Sequence, residues 1–245
     1  RLPDTSLGRR TDNMPQLQPR LAATGVQDLT IQRKPSVEPF HAMDVLAEAT
    51  RLKAEGRPVI SMAVGQPAHP APATAREAAS RALEAGKLGY TDALGLKSLR
   101  QAIATRYSSE YGIDLDPRRV AVTTGSSAGF NLAFLQLFNP GDLVVITRPG
   151  YPAYRNILSA LGLRVIEIAV GEEAGHALTP AAIEAAERAA GARVAGVLIA
   201  SPANPTGAVH SRQAISELDA WCADRGVAFI SDEIYHGLTW SGEES

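Results

Sequence analysis

From Arg119 to Ser231 the chain sets short apolar runs against longer amphipathic stretches: "VAVTT", "LVVIT", "RVIEI", "VAGVLIA" and "VAFIS". Runs of this length separated by helix-length segments read as strands alternating with helices, which implies crossover units and a parallel sheet. Val194 to Ala200 is apolar on both faces, as a strand covered by helices on each side requires. The expected fold class is therefore α/β, a three-layer αβα arrangement around a mostly parallel sheet. Upstream, Phe40, Met43, Leu46, Ala47 and Thr50 recur at three- and four-residue steps and Gly56 follows, which predicts an amphipathic helix over Ser36 to Glu55. A short strand is expected at Val59 to Met62, then a Pro-rich turn, "GQPAHPAP", and two helices near Thr74 to Ala85 and Leu96 to Tyr111.

With 245 residues the chain can bury a sizeable core. Its formal net charge of -2 gives no electrostatic pull toward nucleic acid or an anionic membrane, so a small polar metabolite is the expected partner. The single cysteine, Cys222, excludes an internal disulfide and follows Trp221 in a helical pattern, so it reads as a packing residue. The five histidines show no metal-ligand spacing, and no metal is expected. No apolar stretch reaches the roughly 18 to 20 residues of a membrane span. The opening "RLPDTSLGRR" lacks the apolar core of a signal peptide, so a cytoplasmic location is expected. Residues 1–13 precede the first methionine, Met14, and are left out of the fold argument.

Ligands of open parallel sheets bind where loops leave the carboxyl ends of the strands. The unusual residues of this chain concentrate there, in "TTGSSAG", "RPGYPAY", "SPANPTG" and "SDEIYHG", together with the earlier "VGQP". Gly125 to Gly129 fits G-x-S-x-G after a strand, which would make Ser127 the nucleophile of an α/β-hydrolase. That reading needs an acid and then a histidine; the available pair is Asp232 and His236, four residues apart at one loop, and no HGGG-like segment precedes Ser127. The same small residues also suit a phosphate cradle, because Gly125, Ser126 and Ser127 offer N–H groups and hydroxyls at a helix N-terminus. Asp232 ends a buried strand and calls for a cation or strong donor, which a protonated ring nitrogen of a bound cofactor would supply. Asn204 and Tyr235 can donate to a phenolate oxygen, and Tyr151, between prolines, can offer a ring face. The Asn204–Pro205 bond is expected to be cis, as is Arg148–Pro149, since X-Pro bonds adopt that form at a cost of only about 0.5 to 1 kcal/mol.

These segments, with "GYTDALGLKSLR", resemble the ordered motifs of the class I/II aminotransferases, the fold type I pyridoxal-phosphate enzymes, over roughly Ser36 to Trp240. The resemblance implies pyridoxal 5'-phosphate as cofactor. It places Asp232 on the pyridine nitrogen, Asn204 and Tyr235 on the phenolic oxygen, Tyr151 on the ring face, and Gly125, Ser126 and Ser127 at the phosphate. It further implies that Tyr90 reaches the phosphate of a partner subunit in a homodimer and that the Gly65 backbone meets the substrate carboxylate. The implied reaction moves an amino group between an L-amino acid and a 2-oxo acid, within amino acid metabolism and biosynthesis. The implied organisation is an N-terminal extension over residues 1–35, a helix and strand over 36–63 contributing to a small domain, and a cofactor-binding large domain over 64–245, incomplete at its C-terminus.

Transamination in this family requires a lysine that forms a Schiff base and shuttles a proton. Lys34, Lys53, Lys87 and Lys97 all precede the sheet loops, and the family's lysine falls beyond Ser245, so a chain of these residues alone is expected to be inactive and poorly soluble. A C–S lyase or decarboxylase on the same scaffold is the main alternative. A transcription regulator with an aminotransferase-like domain would need a winged helix upstream, for which about 35 residues without helical pattern leave no room.

Overall fold

The computed structural model describes residues 37, 39, 41–86 and 88–240. The expected extension over residues 1–35, together with Ser36, Phe40, Lys34 and Lys87, lies outside them. Three helices come first: α1 (His41–Ala54), α2 (Ala73–Glu84) and α3 (Lys97–Tyr111). The alternating part follows as α4 (Ser126–Leu137), β1 (Leu143–Arg148), α5 (Pro152–Ala160), β2 (Arg164–Ala169), α6 (Pro180–Ala190), β3 (Val194–Ala200), α7 (Arg212–Arg225) and β4 (Ala228–Asp232).

The four strands form one sheet in the order β2-β1-β3-β4, and every pairing is parallel. Alternate residues of each strand point to opposite faces, and the sequence supplies apolar side chains for both. Leu143, Val145, Val197 and Ile199 pack on one face with Ile183 of α6 and Leu218, Trp221 and Cys222 of α7. Val144, Ile146, Leu198 and Ala200 pack on the other with Phe130 and Phe134 of α4 and Tyr154 and Leu158 of α5. This is the expected three-layer arrangement, and Cys222 is a buried packing residue within it, its thiol pushed up to about 11 chiefly by burial.

Two expected strands do not form. Residues 120–124, "VAVTT", carry no strand, and the Val122 amide bonds instead to the Leu94 carbonyl at 3.0 Å. Residues 59–62 likewise carry no strand, with Ile60 91% and Met62 93% exposed. An apolar run becomes a strand only when a neighbour pairs with its ladder groups, and neither run has one among the described residues. Helix α1 begins at His41 rather than Ser36, and its covered side is Ala49 with Ala42 and Leu46 partly covered; Met43, Ala47 and Thr50 are exposed. No helix among the described residues is long and apolar enough to cross a membrane.

Candidate active site

The sheet order creates the site. The chain leaves β1 for the outer strand β2, then crosses back to β3 on the other side of β1. Loops leaving the carboxyl ends of β1 and β3 therefore diverge and open a crevice between them. After β1, Tyr151 is the N-cap of α5 in extended conformation, and Pro152 fits the first helical position, where no amide donor is needed. After β3, Ser201–Pro202 leads into Asn204. The Arg148–Pro149 and Asn204–Pro205 bonds are cis as expected, and Ser201–Pro202 is a third cis bond that the sequence reading did not single out.

Asp232 arrives from β4 by the same alternation. Ala228 and Ile230 pack on the α4–α5 face, so residue 232 of the same strand points to that face, in register with Ala200 of β3. There its Oδ2 accepts the Tyr154 hydroxyl at 2.5 Å and its Oδ1 accepts the Ile234 amide at 3.0 Å. Tyr154 is 4% exposed; burial, and then the carboxylate it donates to, push its phenol far above the usual tyrosine range and keep it a donor.

These elements border a cavity of about 590 Å³ lined by Ser126, Tyr151, Tyr154, Asn204, Asp232 and Tyr235, with Gly65, Ala63, Val64, Met43 and Ile234 also in the lining. The Asn204 amide and the Tyr235 hydroxyl have no hydrogen-bond partner among the described residues. Ser126 opens α4. Its N-cap is Gly125 at φ 91°, and no side chain caps the helix, so the N–H groups of the first turn are left for another acceptor. Thr123 Oγ1 donates to the Gly125 carbonyl at 2.8 Å and fixes the turn.

Six of the nine candidate residues, Ser126, Tyr151, Asn204, Asp232, Tyr235 and Gly65, thus share one cavity. Gly125 and Ser127 flank it without lining it. Tyr90 is fully exposed and stands outside it. The hydrolase arrangement is not assembled: Ser127 is not among the lining residues, Asp232 accepts the Tyr154 hydroxyl, and His236 Nε2 meets the Tyr111 hydroxyl at 2.9 Å. Tyr154 is the site residue that the sequence reading missed. Its signal was the second tyrosine of "PGYPAY", three residues from Tyr151 and so on the same side of the helix start. Among the described residues no cluster of His, Cys, Asp and Glu suits a metal.

A three-layer α/β domain with an uncapped helix start, a tyrosine and a carboxylate gathered at its strand ends has the architecture of the fold type I aminotransferases. The family model for aminotransferase class I and II matches residues 57–244, and the chain belongs to that family. It is 47% identical over 207 residues to valine–pyruvate aminotransferase of Mycobacterium tuberculosis, covering 84% of this chain and 52% of that protein. It is 35% identical over 199 residues to aspartate aminotransferase of Streptomyces avermitilis, covering 81% and 48%. Among solved structures, an aminotransferase from Mycobacterium tuberculosis superposes with a TM-score of 0.82 at 41% identity, covering 88% of this chain and 55% of that one. Aspartate aminotransferase from Thermus thermophilus with maleate gives 0.77 at 32% identity, covering 85% and 54%. The chain spans about half the length of the curated relatives it matches.

Proposed function

We propose that the protein is a pyridoxal-phosphate-dependent aminotransferase that moves an amino group between an L-amino acid and a 2-oxo acid, acting as a cytoplasmic homodimer. The observation that carries this reading is the convergence of Ser126, Tyr151, Asn204, Asp232 and Tyr235 on one cavity. The cofactor, when bound, supplies an electron sink for the substrate Cα. The chain's own residues bind and orient. Ser126 and the uncapped first turn of α4, with Gly125 and Ser127 beside it, hold the phosphate. Tyr151 would cover a ring face, Asp232 would keep the ring nitrogen protonated, and the Asn204 and Tyr235 donors would take the phenolic oxygen. The Gly65 backbone meets the substrate carboxylate, and the exposed Tyr90 serves the phosphate of a second copy.

The donor set fits this group: the Asn204 and Tyr235 donors and the uncapped α4 start suit its anionic oxygen and phosphate, and the Asp232 carboxylate suits its protonated nitrogen. Among the described residues no lysine lines the cavity, so a polypeptide of residues 1–245 by itself is expected to turn over no amino acid; steady transamination by it would contradict this.

For substrate, the apolar side chains of Met43, Ala63, Val64 and Ile234 in the lining favour an aliphatic amino acid over a dicarboxylic one. The similarity to valine–pyruvate aminotransferase supports the same choice. In the protein expressed from its complete coding sequence, valine with pyruvate should give a higher kcat/KM than aspartate with 2-oxoglutarate. The reverse order would overturn the substrate assignment, and no transamination of any pair would overturn the function.

A further inference from the structure

We infer that Tyr154 is a positioning residue that fixes the Asp232 carboxylate against the cofactor's ring nitrogen while bracing the Tyr151 ring that covers the cofactor's face. The inference rests on the proposed cofactor reading of the cavity.

Three contacts carry it. The Tyr154 hydroxyl donates to Asp232 Oδ2 at 2.5 Å, and with the Ile234 amide on Oδ1 both carboxylate oxygens are held. A carboxylate with a donor on each oxygen cannot rotate about its Cβ–Cγ bond without breaking one of them. The Tyr154 ring also stands edge-on to Tyr151, with centroids 5.4 Å apart and planes at 81°. On its inner side it stands edge-on to Phe130 at 5.2 Å and 75°, which ties it to the buried core of α4. One buried side chain thus connects the rigid interior to the two groups that would grip the ring, its face and its nitrogen. Edge-to-face geometry is the preferred arrangement of such rings and resists sliding.

The role has a specific consequence. Orientation of Asp232 matters only to a ligand that carries a ring nitrogen, so losing the Tyr154 hydroxyl should weaken such a ligand selectively. The test compares two probes on the protein expressed from its complete coding sequence: pyridoxal 5'-phosphate, and its deaza analogue with C–H in place of the ring nitrogen. The readout is the ratio of the two equilibrium affinities. Tyr154→Phe keeps the ring and removes the donor. It should lower affinity for pyridoxal 5'-phosphate about tenfold, the worth of one hydrogen bond to a charged group, and leave the analogue's affinity within about twofold of the parent's, which also reports an intact fold. Should the Phe variant not fold, Tyr154→Met, which also lacks the donor, carries the same expectation for the ratio. A ratio equal to the parent's, or equal weakening of both probes, overturns the positioning role while leaving the cofactor reading intact. Failure of the parent protein to bind either probe overturns both.

Discussion

Asp232 is the residue on which the proposed chemistry turns, and its placement follows from strand alternation, the distant Tyr154 hydroxyl and the nearby Ile234 amide. Asp232→Asn in the full protein should weaken pyridoxal 5'-phosphate by between about tenfold and a hundredfold, the range for losing a charged hydrogen bond, as read by equilibrium titration; unchanged affinity would separate Asp232 from the ring. His210 has a different role. It is 3% exposed, its Nε2 accepts the Leu178 amide and its own amide bonds to Ser201 Oγ, and burial holds its ring below the usual 6.5. The unfolded chain therefore takes up the proton first as pH falls. Stability from neutral His210 is present above about 6.5 and is lost as pH drops below that toward the folded value. The difference in urea midpoint between about pH 7.5 and about pH 5.5 should shrink in His210→Asn; an unchanged difference would assign the acid sensitivity elsewhere. At this scale Asp232, Asn204, Tyr151, Tyr235 and Ser126 were legible because each is a polar or aromatic residue set at the end of an apolar run or at a helix start. Tyr154 was not, because four residues before Leu158 on an amphipathic helix it has the spacing of an ordinary core aromatic, and only the distant Asp232 gives its hydroxyl a purpose.

Elements were legible where their stability is local or where both faces are covered. The four strands and the helices between them follow the apolar periodicity, whereas "VAVTT" and Val59 to Met62 have strand-like composition but no partner for their ladders among the described residues. Pairing is a property of two segments, so one run cannot declare it. Close packing inside the sheet makes a sharp prediction at Gly196 of β3, where an added Cβ would stand 2.3 Å from Phe138 Cζ. Gly196→Ala should destabilise the fold by roughly 1–3 kcal/mol, the usual range for overpacking, measured as a lower urea midpoint with unchanged slope; a neutral result would mean that Phe138 moves aside freely. At the start of α7, Ser211 Oγ accepts the Ala214 amide at 3.1 Å. Removing this cap in Ser211→Ala should cost about 0.5–2 kcal/mol on the same measurement, less if water replaces it.

Across the whole molecule the described chain leaves large apolar side chains in the open: Leu132 and Leu135 on α4, Ile60, Met62, Leu88 and Trp240. Helix α4 turns Phe130 and Phe134 inward and leaves its leucines outward beside Asn131 and Gln136, and the β4 edge has no neighbour beyond it among the described strands. A polypeptide of residues 1–245 alone should therefore self-associate at micromolar concentration in sedimentation velocity, as exposed apolar patches do; a monomer with a single cooperative melt would contradict this. Composition alone does not reveal that surface, since the same leucines would serve equally well in a core. The central claim is that the loops at the strand ends gather around one phosphorylated pyridine ring. Its most direct test is a crystal structure of the protein expressed from its complete coding sequence and loaded with pyridoxal 5'-phosphate. The expected result places the phosphate on the first turn of α4 at Ser126, Tyr151 over the ring, and an Asp232 oxygen within hydrogen-bond distance of the ring nitrogen. A cofactor bound elsewhere, or a ring turned so that its nitrogen faces away from Asp232, would contradict it.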